Sequence, residues 1–245
     1  MQILDVIQRS PEWLEARKGM LTSCRIAAAC SFNKNGKESG KRAKMKLELL
    51  QELITGRAVE HYVSPAMEFG IEFEAQARAE YELRQKVSVD LIGFLLHPTL
   101  DRCGASPDGL IDGEGLLEIK VPNTITHLEY LRDGVVPSEY IPQITWQLAC
   151  AGPEAKYCDF TSFDPRLPED LQMLIVRVDR DEKKIAEQEK QAIIFLEEVV
   201  AEFEQIKRNA KNYSLEDKLR ASVRQARGQY PEFDAELQIT EQDCV

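Results

Sequence analysis

Hydrophobic periodicity changes near residue 87, and this change limits the fold classes that the chain can adopt. Before it, apolar residues recur at helical spacing, whereas the runs 87–97, 102–111 and 115–122 have the short apolar stretches and turn residues typical of strands. Two further strand patterns, 156–165 and 171–180, follow after helical segments. Helices, then a strand cluster, then further helices and strands predict an α/β fold, with a central mixed β-sheet flanked by helices.

Helix starts are marked by capping residues. Ser10 with Pro11, and Ser64 with Pro65, are typical of the first positions of helices. The predicted helices are residues 10–19, 22–30, 42–53, 64–85, 123–134, 138–152 and 181–208. Residues 33–46 are polar, contain glycines and are rich in Lys and Arg, which predicts a mobile basic loop that leads into the third helix.

Length and composition are those of an ordinary globular protein. With 245 residues, 43% of them hydrophobic and 30% charged, the chain can bury a core as one large domain or two small ones. It has no apolar run of about 18 residues that would span a membrane, and no secretory signal pattern at its start. The six cysteines and three histidines have no zinc-binding spacing, so we expect reduced thiols in a cytoplasmic protein, in the cytosol of a bacterial host. Residues 209–245 are predicted to be a helical, partly disordered C-terminal extension.

Charge is unevenly distributed along the chain. The net charge of −11 argues against a nucleic-acid partner, but residues 1–60 hold 11 Lys and Arg against 7 Asp and Glu. A basic segment can form a local phosphate-binding surface even on an acidic protein. Lys37, Lys41 and Arg42 are therefore candidate DNA-contacting residues. The alternative is a loop whose charges are only solvated.

The sequence GASPDGLIDGEGLLEIKVP, residues 104–122, places three charged residues in strand-like surroundings. Side chains alternate along a strand, so Glu118 and Lys120 point to the same face, and a turn at DGEG would bring Asp108 beside Glu118. Two carboxylates in apolar surroundings repel each other, and Mg²⁺ or Mn²⁺ removes that repulsion. The pattern predicts metal-assisted phosphodiester hydrolysis, in which Lys120 orients or helps to deprotonate the attacking water. The alternative is a hairpin with charges at its solvent edge.

Six segments, in one fixed order, resemble a family of nucleases. They are WLEARKGMLTSC (13–24), EFGIEFEAQARAEYE (68–82), CGASPDGL (103–110), LLEIKVP (116–122), YIPQITWQ (140–147), and FDPR followed by VRVDRDE. Together they resemble the nucleases with a PD-(D/E)xK core, and within these the phage lambda exonuclease group, or YqaJ-type viral recombinases. The resemblance implies a restriction-endonuclease-like core and a single nuclease domain over residues 1–208.

The resemblance implies roles for residues of the catalytic centre. The matching positions are Glu74, Asp108, Glu118, Ile119, Lys120 and Gln143. Asp108, Glu118 and the Ile119 carbonyl match metal ligands, and Lys120 matches the catalytic lysine. Glu74 matches a carboxylate that holds a second metal ion or the attacking water, and the glutamine matches one near the scissile phosphate. The alternatives are a solvated helix glutamate and a glutamine that bridges polar groups of the core.

The resemblance also implies a pocket for the 5′-phosphate of a DNA end. Arg17 matches the arginine that binds this phosphate, and Ser106 matches a serine of the pocket. The family has a second serine near the start of the second helix, where this chain has Cys24. Thr22 and Ser23 just before it are the candidate hydroxyl donors. The alternative for the arginine is an ordinary surface charge.

As a whole, the resemblance implies an exonuclease that degrades one strand of linear double-stranded DNA in the 5′→3′ direction. It implies Mg²⁺ as cofactor, with Mn²⁺ able to substitute and two ions in each active site. The implied partners are double-stranded DNA ends, a single-strand annealing protein, and two further copies of the chain in a homotrimeric ring. The alternatives are a structure- or sequence-specific endonuclease with the same core, and a non-catalytic DNA-binding or assembly module.

Overall fold

The computed structural model describes residues 1–59 and 62–212. Within them the strands are β1 (Gln2–Leu4), β2 (Leu21–Thr22), β3 (Val89–Asp90), β4 (Phe94–Leu96), β5 (Cys103–Ala105), β6 (Gly109–Ile111), β7 (Gly115–Lys120), β8 (Tyr157–Phe163) and β9 (Met173–Asp179). The helices are α1 (Pro11–Arg17), α2 (Ser23–Ala29), α3 (Gly40–Thr55), α4 (Pro65–Gln85), α5 (Thr124–Asp133), α6 (Ile141–Ala151) and α7 (Glu182–Asn212). The unit Met1–Val199 contains both sheets described below, and a second unit begins at Val200. Of the predicted extension, 209–245, residues 209–212 form the end of α7, and the remainder lies outside the described residues.

The larger sheet contains five strands in the order β3-β6-β7-β8-β9. Its β7 and β8 are parallel, and the other neighbours are antiparallel. A parallel pair needs a long crossover connection, and α5 and α6 lie in the segment that joins β7 to β8. The predicted fold class, α/β with a mixed sheet flanked by helices, is therefore confirmed.

The two faces of β7 contact different helices. Leu117 and Ile119 belong to a buried cluster with Ala77 and Tyr81 of α4. Because side chains alternate along a strand, Glu118 points to the opposite face, which contacts α6. The central strand of the sheet is thus enclosed on both sides, and its charged residue lies inside the protein.

A smaller sheet, in the order β1-β4-β5-β2, was not predicted. It arises because two predicted strands are each divided, the first between β3 and β4 and the second between β5 and β6. At the first division a Cβ on Gly93 would lie 2.1 Å from the backbone oxygen of Val6, so only glycine permits this close approach of two chain segments. At the second division, Pro107 has no N–H to donate to a ladder.

Serine side chains cap the first turns of three helices. The hydroxyls of Ser10, Ser39 and Ser64 each accept a hydrogen bond from the backbone N–H three residues later. Helix α3 starts at Gly40, so the basic segment 33–46 is half helix. No described helix is long and apolar enough to cross a membrane.

Arg42 does not belong to a DNA-contacting surface, which corrects the prediction made for it. Its side chain is buried, donates hydrogen bonds to the backbone oxygen of Ala29 and to Glu198 at 2.9 Å, and lies over the rings of Phe32 and Phe195. A guanidinium can be buried when its donors are satisfied in this way. By contrast, Lys37 and Lys41 are exposed, and their predicted DNA contacts stay predictions.

We expect Arg42→Met to lower the free energy of unfolding by about 2 kcal/mol, because the buried carbonyl of Ala29 loses its donor. Lys41→Met is the matched control at the neighbouring exposed position and should change stability by less than about 0.5 kcal/mol. Urea denaturation of both variants measures the difference. Equal stability of the two would contradict the buried role.

Candidate active site

A tight hairpin places Asp108 beside the strand that carries Glu118. Its turn contains Asp112 and Gly113 at φ values of 48° and 79°, which an Asp-Gly pair adopts readily. After the turn, β7 returns antiparallel to β6. The Asp108 carboxylate, just before β6, accepts a hydrogen bond from the backbone N–H of Ile119 at 2.6 Å. The structure therefore brings the two predicted carboxylates together.

Glu118 is buried, and three side chains donate to its carboxylate. Its Oε1 accepts a hydrogen bond from Gln143 Nε2 at 2.6 Å and lies 2.5 Å from Lys120 Nζ. Its Oε2 accepts a hydrogen bond from Gln147 Nε2 at 2.5 Å. Because the two glutamines are one helical turn apart on α6, both amides reach the same carboxylate. The second glutamine was not predicted as a site residue, although its spacing from the first is a signal that could have identified it.

The charges of the cluster shift one another's protonation. Burial alone would lower the pKa of Lys120, but the carboxylates of Glu118 and Asp108 raise it above its ordinary value, so the amine is an ammonium ion. This ammonium lies 5.0 Å from the ring centroid of Tyr140. Burial, followed by repulsion from Glu118, raises the pKa of Asp108 well above its ordinary value.

Glu74 lies on α4 at the edge of the same centre. Its carboxylate pairs with Arg9 and lies 3.8 Å from Arg78. It lines a cavity of about 470 Å³ together with Arg9, Lys120 and Tyr140. Its negative charge also contributes to the raised pKa of Asp108, so the two carboxylates interact electrostatically.

The donor set around Asp108 fits a hard divalent cation. Asp108, Glu118 and the Ile119 carbonyl offer the oxygen ligands that Mg²⁺ and Mn²⁺ prefer. A carboxylate has about four lone-pair positions, of which three on Glu118 are used by Lys120 and the two glutamines of α6, so one remains for a cation. Among residues 1–59 and 62–212, no cluster of three or more His, Cys, Asp or Glu side chains has a geometry that could hold a metal ion. Glu74 therefore does not form such a cluster with Asp108 and Glu118.

The two residues predicted to bind the terminal phosphate meet in a second polar cluster. The hydroxyl of Ser106 accepts hydrogen bonds from Arg17 Nη1 at 3.2 Å and from the indole N–H of Trp13 at 2.8 Å. The guanidinium lies 4.0 Å from the Trp13 ring centroid, and burial lowers the pKa of Arg17. Arg17 is thus fixed by a ring and a hydroxyl at one position.

The structure favours Cys24 over either predicted hydroxyl donor in this cluster. Thr22 and Ser23 are both buried, whereas Cys24 is exposed and its Sγ accepts a hydrogen bond from Arg17 Nη2 at 3.3 Å. Thr22 contacts the cluster only through the sulfur of Cys24, at 3.2 Å. Among the described residues Arg17 is hydrogen-bonded to Ser106 and Cys24 and to neither of these hydroxyls, so the predicted phosphate contacts of Thr22 and Ser23 stay predictions.

A hairpin that carries an aspartate, a glutamate and a lysine on a mixed sheet between helices defines a nuclease-like arrangement. The model of the YqaJ-like viral recombinase domain matches residues 12–154, which contain every residue of both clusters apart from Arg9. The chain belongs to this family.

Solved structures of exonucleases are similar to the chain. The alkaline exonuclease LHK-Exo from Laribacter hongkongensis, alone and in complex with dAMP, is 39% identical, with TM-scores of 0.75 and 0.76. Each alignment covers 83% of this chain and 99% of the other. A phage-related exonuclease from Haemophilus somnus 129PT shares the fold, with 11% identity, a TM-score of 0.57, and coverage of 75% and 96%. No curated protein sequence matches the chain.

We expect Asp108→Asn to stabilise the metal-free protein at pH 7 by about 1 kcal/mol. Folding raises the pKa of the Asp108 carboxyl, so this group lowers the stability of the protein as pH rises from the pKa of the unfolded state through that of the folded state. Asn cannot ionise, so the substitution removes this loss of stability. Urea denaturation in a chelator compares the variant with wild type at pH 7 and near pH 4. The gain should be smaller at the lower pH, where wild-type Asp108 is also protonated. A variant less stable than wild type at pH 7 would refute the electrostatic account.

Proposed function

We propose that this protein is a metal-dependent exonuclease that degrades one strand of linear double-stranded DNA in the 5′→3′ direction. The observation that carries the proposal is the convergence of Asp108, Glu118 and Lys120 beside an open cavity. The chain belongs to a viral recombinase family and is similar to an alkaline exonuclease, and both findings support DNA as the substrate. Such an enzyme leaves 3′ single-stranded tails that phage-type recombination by strand annealing uses.

Mg²⁺ is the proposed cofactor, with Mn²⁺ able to substitute. Asp108, Glu118 and the carbonyl of Ile119 would hold one ion, and Glu74 is the candidate for a second. When bound, such an ion supplies positive charge at the scissile phosphate and activates the attacking water. A substrate phosphate and waters complete the ligand sets of such ions in other sites, which suits a centre with few protein ligands.

The side chains around the ligands have separate tasks. Lys120, whose ammonium lies beside Glu118, would orient the water and stabilise negative charge on the phosphate in the transition state. Gln143 and Gln147 hold the carboxylate of Glu118 in one orientation. This arrangement leaves the catalytic groups fixed before DNA binds.

Arg17 gives the proposed enzyme its polarity. A guanidinium binds a phosphate through two parallel hydrogen bonds, and a terminal phosphate carries more negative charge than an internal diester. Ser106 follows β5 and Asp108 precedes β6, so only Pro107 separates the phosphate pocket from the catalytic centre along the chain. A 5′-phosphate held at Arg17 would present the first linkage of that strand to the catalytic centre.

Glu118→Gln should abolish digestion of end-labelled linear duplex in Mg²⁺, and a chelator should abolish it in wild type. Lys120→Ala should lose about 10²-fold in rate, the effect of removing one preorganised charge. Both variants should bind duplex nearly as well as wild type, because affinity comes mainly from phosphate contacts elsewhere. Supercoiled circular DNA is the control for the endonuclease alternative and should survive. Undiminished turnover by Lys120→Ala at saturating Mg²⁺ would refute its role.

Arg17→Ala should remove a preference of wild type for 5′-phosphorylated over 5′-hydroxyl ends, with a loss of about tenfold on phosphorylated ends. Lys18→Ala is the matched control, since among the described residues the Lys18 side chain is hydrogen-bonded to Glu15 and not to Arg17 or Ser106. Initial rates on the two kinds of end measure the preference. If wild type digests both equally fast, Arg17 has a different function.

Assembly and partners rest on the family resemblance. We infer from it a homotrimeric ring that encloses duplex DNA and acts with a single-strand annealing protein. The basic N-terminal segment, with Lys37 and Lys41 exposed, is consistent with a phosphate-contacting surface in such a ring. A closed ring around the duplex would make digestion processive without tight binding of the DNA.

A further inference from the structure

A strained turn places an arginine at the mouth of the catalytic cavity. Residues 7–10 form a turn closed by a hydrogen bond from Ser10 N to the oxygen of Ile7, at 3.0 Å. Arg9, the third residue of this turn, has a φ of 70°. That position of such a turn favours Gly or Asn, and another side chain there is strained. An arginine that persists in this conformation indicates that its side chain has a function.

The turn is attached directly to the catalytic segment. Gln8 Nε2 donates hydrogen bonds to the backbone oxygens of Ile92 at 2.9 Å and Pro107 at 2.8 Å. Pro107 immediately precedes Asp108, so the turn and the catalytic aspartate are held together. The backbone of Arg9 is therefore fixed relative to the reacting centre.

The Arg9 side chain lies in the wall of the cavity, beside Glu74. Its guanidinium donates to Glu74 and lines the cavity with Lys120. Among the described residues, Glu74 is the only hydrogen-bond acceptor for this guanidinium. Since a guanidinium has five N–H groups in a planar fork, donors remain for a ligand that enters the cavity.

An anionic DNA strand needs this charge. Before a metal ion binds, the carboxylate of Glu74 in the cavity wall and that of Glu118 beside Lys120 place negative charge where a phosphodiester would enter. The ammonium of Lys120 is already paired with Glu118. Arg9 is half exposed, with 45% of its side chain accessible, so a phosphate can reach it without unfolding the turn.

We propose that Arg9 is a substrate-binding residue, whose guanidinium bridges Glu74 and the phosphate of the linkage that is cleaved. This rests on the proposed function for the identity of that linkage. Arg17 would hold the terminal phosphate and Arg9 the next one along the strand. The opposing account is that Arg9 only anchors Glu74, and the experiment below separates the two.

The test is a double-mutant cycle between the protein and the DNA. Duplexes carry either a normal phosphate or a neutral methylphosphonate at the first linkage from the 5′ end, and binding is followed by fluorescence anisotropy in a chelator. The proteins are wild type, Arg9→Gln, Arg9→Gly and the control Arg132→Gln. Arg132 is exposed, pairs with Asp133 and does not line the cavity.

Wild type and Arg132→Gln should each lose about tenfold in affinity when the phosphate is neutralised. Arg9→Gln should bind normal DNA about tenfold more weakly than wild type does. Its affinity for the modified duplex should be nearly the same as its affinity for normal DNA. Arg9→Gly should behave in the same way while its melting temperature stays within about 3 °C of wild type, because glycine accepts the positive φ.

If the Arg9 variants remain as sensitive to the methylphosphonate as wild type, the proposal is overturned, and a large fall in the melting temperature of Arg9→Gly would assign the residue to structure alone. Digestion of unmodified duplex by wild type is measured alongside. Failure of wild type to cleave would overturn the proposed function, whereas cleavage without coupling would overturn only the role of Arg9.

Discussion

A carboxylate buried in the middle of a β-sheet is the constraint on which much of this structure depends. Glu118 can occupy the central strand only because every donor it needs is supplied from the protein, since an unpaired buried charge is strongly destabilising. That requirement fixes α6 against one face of β7, with Gln143 and Gln147 one turn apart. The chain then returns parallel to β7 as β8, and the segment with α5 and α6 provides the long crossover that a parallel pair needs.

The parts of the fold and site that are encoded locally could be predicted. The Asp-Gly turn and the alternation along β7 are properties of a few neighbouring residues, and they were sufficient to bring Asp108, Glu118 and Lys120 together. The smaller sheet could not be predicted because its strands have only two or three residues and therefore no periodicity. Arg42 was misassigned for a related reason. Its partner Glu198 is 156 residues away, and a run of basic residues alone is typical of a solvated surface.

The polar cluster around Arg17 contains a thiol at the position where the family resemblance implies a hydroxyl. A serine and a cysteine are similar in size, but a thiol is a weaker hydrogen-bond donor and acceptor than a hydroxyl. In this chain Ser106 and the ring of Trp13 already fix the guanidinium. The thiol of Cys24 therefore contributes less to the orientation of Arg17 than the hydroxyl of Ser106 does.

The segment from Gln8 to Arg17 joins the two clusters and has a consequence for the product. Arg9 lies before the first residue of α1 and Arg17 is its last residue, so one short helix sets the separation of the two guanidinium groups. Hydrogen bonds from Gln8 to Pro107, and from Trp13 and Arg17 to Ser106, fix this segment to the connection between β5 and β6 that also carries Asp108. If Arg17 binds the terminal phosphate and Arg9 the phosphate of the cleaved linkage, the helix would fix the distance between these two phosphates. The length of each released fragment would then be set by rigid secondary structure, and would not vary with the sequence of the DNA.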